Sequence, residues 1–129
     1  MQLCHRLAGV LVVVGFLLTG VYMRTHDPAM PLLPDVVRML YRSRHIYLLF
    51  AGLLNLVLGA YWTARPPGWR RIVQLTGSAL LLLAPILLAA AFFREPGLPG
   101  MDRTFSLPAI ESMLAGSLCH AVSGWRRAS

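Results

Sequence analysis

Residues 72–93 read IVQLTGSALLLLAPILLAAAFF and contain no charged side chain, although Arg71 and Arg94 stand directly at the two ends. An α-helix needs about 20 apolar residues to cross the hydrocarbon core of a bilayer. Pro85 interrupts the run. We expect it to kink the helix rather than end it, because a neighbouring helix can satisfy the carbonyl that proline leaves without a donor. This stretch predicts a transmembrane helix.

Three further stretches are long and apolar enough to form spans, namely residues 3–23, 45–64 and 107–125. The last of these is the most polar, since it carries Glu111, His120 and several serines, and we expect its polar groups to face inward or toward an interface. The sequence therefore predicts an all-α integral membrane protein, a four-helix bundle that forms one transmembrane domain over residues 1–129.

The composition supports a membrane location. Hydrophobic residues make up 57% of the chain and charged residues only 13%, against about 25% charged in soluble domains. All 12 basic residues are arginines, and they stand at the ends of apolar runs, where lipid phosphates lie, rather than in a patch with interleaved aromatics. We therefore exclude nucleic acid as a partner. The absence of lysine and the abundance of Leu, Ala, Gly and Pro indicate GC-rich coding, and hence a bacterial inner membrane.

The connection between the first two spans contains an amphipathic helical pattern. In residues 35–43, Val36, Met39 and Leu40 share one side of a helix, while Arg38 and Arg42 share another. This pattern is typical of a short amphipathic helix that lies on the membrane surface. We predict such an interfacial helix between the first and second spans.

The arginines divide equally between the two membrane faces. One face holds both termini and Arg6, Arg65, Arg70, Arg71, Arg126 and Arg127; the other holds Arg24, Arg38, Arg42, Arg44, Arg94 and Arg103. The acidic residues Asp27, Asp35, Glu95 and Asp102 lie on the second face, but they count for little in topology. An interfacial helix would hold several arginines of the second face at the membrane surface in either orientation, so those arginines would not decide the topology. We therefore expect the face with both termini to lie in the cytoplasm.

Two histidines are predicted to lie at one end of the bundle, His5 in the first span and His120 in the fourth. Each shares a helical stripe with small residues, Gly9 beside His5 and Gly116 beside His120. Small residues on such faces let helix backbones approach closely, and a histidine among them hydrogen-bonds a neighbouring helix. The same pattern suits b-type haem, whose flat ring needs glycine-sized gaps and an imidazole on each side of the iron.

Other residue pairs give weaker hypotheses of binding. His45 with His26 forms a weaker haem hypothesis at the opposite end, because His26 is expected in a loop. Cys4 and Cys119, each directly before a histidine, have the ligand types of a metal site. Adjacent helical residues point about 100° apart, however, and the spacing matches no metal motif. We predict no metal site.

Three functions follow as hypotheses. The first is a non-catalytic membrane protein of accessory or interaction type, with a membrane-protein partner or further copies of itself. The second is a haem b electron carrier that uses His5 and His120. The third is a small transporter that depends on Glu111, the one acidic residue that could lie within the bilayer. The position of Glu111 near the start of the fourth span also fits a plainer role, a carboxylate at headgroup level that the helix N-terminus favours. We expect no enzyme activity, because the sequence has no paired carboxylates, phosphate-binding loop or recognisable nucleophile.

Overall fold

The computed structural model describes residues 1–98 and 103–125, and these residues form helices and connections without a β-strand. The four α-helices are α1 (Gln2–Thr25), α2 (Asp35–Tyr61), α3 (Trp69–Arg94) and α4 (Ser106–Gly124). The predicted all-helical architecture is confirmed. The first three helices are long and apolar enough to cross a membrane, α3 together with the turn that follows it. Three of the charged residues counted above for the two membrane faces lie outside the described residues, namely Asp102, Arg126 and Arg127.

The prediction of a separate interfacial helix is wrong. Residues 35–43 are helical, but they form the first turns of α2 and continue into its apolar part. No proline or glycine stands between Asp35 and Ala51 to end the helix. Leu40 and Tyr41 are buried against the rest of the protein. Tertiary packing, rather than the membrane surface, therefore covers part of the apolar side of this segment.

The helices pack as two antiparallel pairs. α1 lies along α2 and α3 lies along α4, while α2 and α3 join the two pairs. α1 meets α3 at only a few positions, and a groove of about 730 Å³ separates them. Apolar side chains line this groove, among them Leu11, Leu18, Leu82, Ile86 and Phe93. Most of the outer surface of α1 is also apolar, as lipid contact requires.

A buried ion pair holds together the end of the molecule where α4 begins. Arg44 of α2 donates from Nε to Oε2 of Glu95 at 2.7 Å, and only 3% of Arg44 and none of Glu95 is exposed. The other carboxylate oxygen, Oε1, accepts hydrogen bonds from the backbone N–H groups of Phe105 and Ser106. Because those N–H groups open α4, Glu95 satisfies donors that a helix start leaves unpaired. One carboxylate thus connects α2, the end of α3 and the start of α4.

Candidate functional site

Asn55 of α2 forms the centre of a buried polar cluster at the end of the molecule where α1 begins. Its Nδ2 donates to the carbonyl oxygens of Ala51 and Leu81, both at 2.9 Å. The carbonyl of Leu81 would ordinarily accept from the N–H of residue 85, and Pro85 has none. Asn55 therefore supplies, from a neighbouring helix, the donor that Pro85 lacks, and α3 continues through the proline.

The hydrogen bonds of Asn55 also determine which nitrogen of the His5 ring carries a hydrogen. Since Nδ2 of Asn55 is the donor in two bonds, its Oδ1 is the acceptor in the third, which joins it to Nδ1 of His5 at 2.7 Å. Nδ1 of His5 must therefore carry a hydrogen. In the neutral imidazole this leaves Nε2 with a lone pair. His5 is completely buried, and its Nε2 has no hydrogen-bond partner among the described residues.

His120 of α4 lies beside His5. The centroids of the two rings are 6.3 Å apart and the ring planes cross at 78°. Nε2 of His120 lies 3.1 Å from Oγ of Ser78 on α3, so this nitrogen already has a partner. The ring of Trp62 contacts both histidines, with centroid distances of 5.5 Å to His5 and 5.6 Å to His120. The structure thus brings together the two histidines that the sequence singles out, and adds Trp62.

The glycines beside these histidines are closely packed against neighbouring helices. A Cβ atom added at Gly9 would lie 2.7 Å from Cγ and 2.8 Å from the backbone nitrogen of Leu56. One added at Gly116 would lie 2.7 Å from Cγ of Leu81 and 2.8 Å from the carbonyl oxygen of Gly77. Backbones approach at these points because no side chain intervenes. The space that a haem ring would need beside either glycine is occupied by protein atoms.

The two histidines of the second predicted pair, His26 and His45, have different ring partners. His45 stacks on Phe16 with a centroid distance of 4.0 Å, and its Nδ1 bonds to Oγ1 of Thr19 at 2.9 Å. His26 instead contacts the rings of Tyr22 and Tyr41.

The remaining candidates lie apart from this cluster or at its edge. Glu111 is exposed on the outer face of α4. Cys4 is exposed and Cys119 half-buried. Among residues 1–98 and 103–125, no three metal-ligating side chains form a group that could hold an ion.

Sequence reasoning missed the polar contacts that fasten the connection between α2 and α3. Gln74 donates from Nε2 to the carbonyl of Thr63 at 2.8 Å and accepts from the backbone N–H of Arg65 at 3.1 Å. Just before this connection, Arg6 of α1 donates from Nε to the carbonyl of Gly59 in the last turn of α2, and so joins α1 to α2. Nothing in the periodicity distinguishes these residues from other polar residues at span ends. Their partners lie 9 or more positions away along the chain.

Comparisons with protein-family models, with curated proteins and with solved structures find no match to this chain.

Proposed function

We propose that the chain is a four-span membrane protein of non-catalytic, accessory type, which binds a membrane-protein partner through the outer face of α4. With 19 residues and a rise of about 1.5 Å per residue, α4 extends about 29 Å, close to the thickness of a bilayer core. Its outward residues Leu114 and Leu118 are 63% and 65% exposed. These dimensions and this apolar face support a fourth span.

The exposed position of Glu111 on the outer face of α4 is the observation that supports the proposed binding role. Glu111 lies on the same outward stripe as Leu107, Leu114 and Leu118, and it forms no hydrogen bond or ion pair with the described residues. A carboxylate that faces lipid is costly and usually finds a partner. A basic or hydrogen-bonding side chain on a helix of another protein would supply that partner.

Other polar groups within the helices bond to partners inside the protein, unlike Glu111. Asn55 and Ser78 bond to groups on neighbouring helices, and Arg44 pairs with Glu95. Inward polar groups therefore hold the chain together, whereas Glu111 faces outward. The transporter that depends on Glu111 stays an untested hypothesis. We further propose a bacterial inner membrane, on the arginine composition given above. The expectation that both termini lie in the cytoplasm was based on a separate interfacial helix, and residues 35–43 instead belong to α2, so the orientation stays a prediction.

Native gel electrophoresis of the tagged chain, extracted from its own membrane in mild detergent, tests this proposal. We expect the wild type to migrate in a complex larger than one chain, and Glu111→Leu to release it. Val57→Leu changes an apolar residue on α2, 55% exposed and away from the outer face of α4, and should retain the complex. A wild type that migrates as one chain, or a Glu111→Leu protein that stays in the complex, would contradict the proposal. Mass spectrometry of the band distinguishes another protein from further copies.

A second function, a b-type haem electron carrier, is favoured by one specific observation. The lone pair on Nε2 of His5 is buried without a partner, and Asn55 holds the opposite nitrogen as haem ligands are commonly held. His5 and His120 would be the two ligands of the iron, which when bound would accept and release one electron. The contacts at Gly9 and Gly116 make this the second candidate. Loss of colour in His5→Ala and His120→Ala, but not in His26→Ala, would test it.

A further inference from the structure

A cavity of about 550 Å³ lies between the last turns of α1 and the first turns of α2, at the end of the molecule opposite His5 and His120. Arg24 and Arg42 are its cationic side chains. Much of the remaining lining is apolar and comes from α1, including Phe16, Leu17 and Val21. The cavity therefore combines two guanidinium groups with a hydrophobic wall that continues along a membrane-spanning helix.

The two arginines differ from their neighbours in their partners. Arg38 pairs with Asp35, and Arg44 pairs with Glu95. Arg24 and Arg42 are exposed, and neither forms an ion pair with a carboxylate in the described part of the chain. Two positive charges thus face one cavity without a counter-ion from those residues.

His45 and Gly20 shape the inner part of this cavity. Thr19 donates its single hydroxyl hydrogen to the carbonyl of Phe16, so its oxygen accepts from Nδ1 of His45. This bond fixes the ring and, in the neutral imidazole, leaves Nε2 as a hydrogen-bond acceptor, so the arginines are the cavity's donors for an anion. A Cβ atom added at Gly20 would lie 3.3 Å from Cε1 of His45, so any larger side chain there would enter the cavity.

We propose that this cavity binds one anionic phospholipid, with its phosphate between Arg24 and Arg42 and an acyl chain along Leu17 and Val21. Guanidinium groups form strong charge-assisted hydrogen bonds to phosphate. Basic pockets between transmembrane helices are known to bind lipid headgroups. The arginines lie near the ends of the apolar segments of α1 and α2, where headgroups lie, and the apolar wall extends toward the bilayer centre. A free phosphate would use only the arginines.

Native mass spectrometry of the full chain in mild detergent tests the proposal by titration with phosphatidylglycerol or phosphatidylcholine. We expect one phosphatidylglycerol to bind at least about tenfold more tightly than phosphatidylcholine, a difference that charge-assisted contacts can supply. The double variant Arg24→Gln, Arg42→Gln should lose this preference. The double variant Arg70→Gln, Arg71→Gln removes the same charge from the opposite end and should keep it.

A second pair of variants tests the apolar part of the site without touching the arginines. Gly20→Leu should fill the cavity and weaken phosphatidylglycerol binding by about tenfold or more. Gly15→Leu is the matched control, because a Cβ there meets no atom within 4 Å. Circular dichroism checks that each variant is helical. Three results would each overturn the proposal: equal binding of both lipids, unchanged phosphatidylglycerol binding in Gly20→Leu, or displacement of the lipid by millimolar inorganic phosphate.

Discussion

The side-chain amide of Asn55 donates a hydrogen bond of 2.9 Å to the carbonyl of Leu81, which lies one turn before Pro85 on α3. Proline has no N–H to offer this carbonyl, so Asn55 replaces the missing donor from α2. The opposite atom of the same amide, Oδ1, holds His5. One side chain thereby links α1, α2 and α3, and it accounts for a proline within the most apolar helix.

The first prediction concerns Asn55. Replacing it with leucine removes the donor to Leu81 and leaves both nitrogens of the His5 ring without a partner. We expect Asn55→Leu to lower the free energy of unfolding by about 1–3 kcal/mol, the usual cost of unsatisfied buried polar groups. Unfolding in mixed micelles measures it. Val57→Ala, at an exposed position of the same helix, is the control for a changed side chain on α2.

The second prediction couples Asn55 to Pro85. In a Pro85→Ala background the N–H of residue 85 can again bond the carbonyl of Leu81, so the loss of Asn55 should cost less. A double-mutant cycle should give a coupling free energy of about 1 kcal/mol between the two positions. A coupling indistinguishable from zero would show that Asn55 does not compensate for the proline.

The third prediction separates packing glycines from unconstrained ones. Gly116→Ala places a Cβ within 3 Å of Leu81 and of the backbone of Gly77, and such overpacking costs about 1–3 kcal/mol. Gly15→Ala meets no neighbour and should cause no loss of stability. The same unfolding measurement on both variants checks the difference. Equal stabilities would mean that α3 and α4 are not tightly packed at Gly116.

The fourth prediction contrasts two ion pairs. Glu95→Ala leaves Arg44 buried and unpaired and removes the acceptor for the first N–H groups of α4, so we expect a loss of about 3–5 kcal/mol. Asp35→Ala breaks the surface pair with Arg38 and should leave stability nearly unchanged. Thermal unfolding in detergent compares the two. Similar midpoints would contradict a structural role for the buried pair.

The helices were largely predictable because hydrophobic runs reveal membrane-crossing segments directly. The start of α2 was not. The pattern of Val36, Met39 and Leu40 is the same for a helix on a membrane surface and for one packed on protein. Only the tertiary contacts of Leu40 and Tyr41 distinguish them. Periodicity identifies which face is apolar, but not what covers that face.

The polar contacts were harder to predict than the helices. Arg44 and Glu95 both stand at the ends of apolar runs, which indicates topology, yet they pair across 51 positions. His5 and His120 could be placed at one end because helices alternate in direction. The partners Asn55, Ser78 and Trp62 could not be assigned, since helix rotation and tilt decide which side chains meet.

Our central claim is that His5 and His120 serve helix packing, while function resides on the outer surface. The most direct test is an absorption spectrum of the protein, purified in mild detergent from haem-sufficient cells, before and after dithionite. We expect at most a weak Soret band that corresponds to sub-stoichiometric haem, since protein atoms fill the space beside Gly9 and Gly116. A Soret band with visible bands that sharpen on reduction, and that disappear in His5→Ala, would contradict the claim and establish the haem carrier.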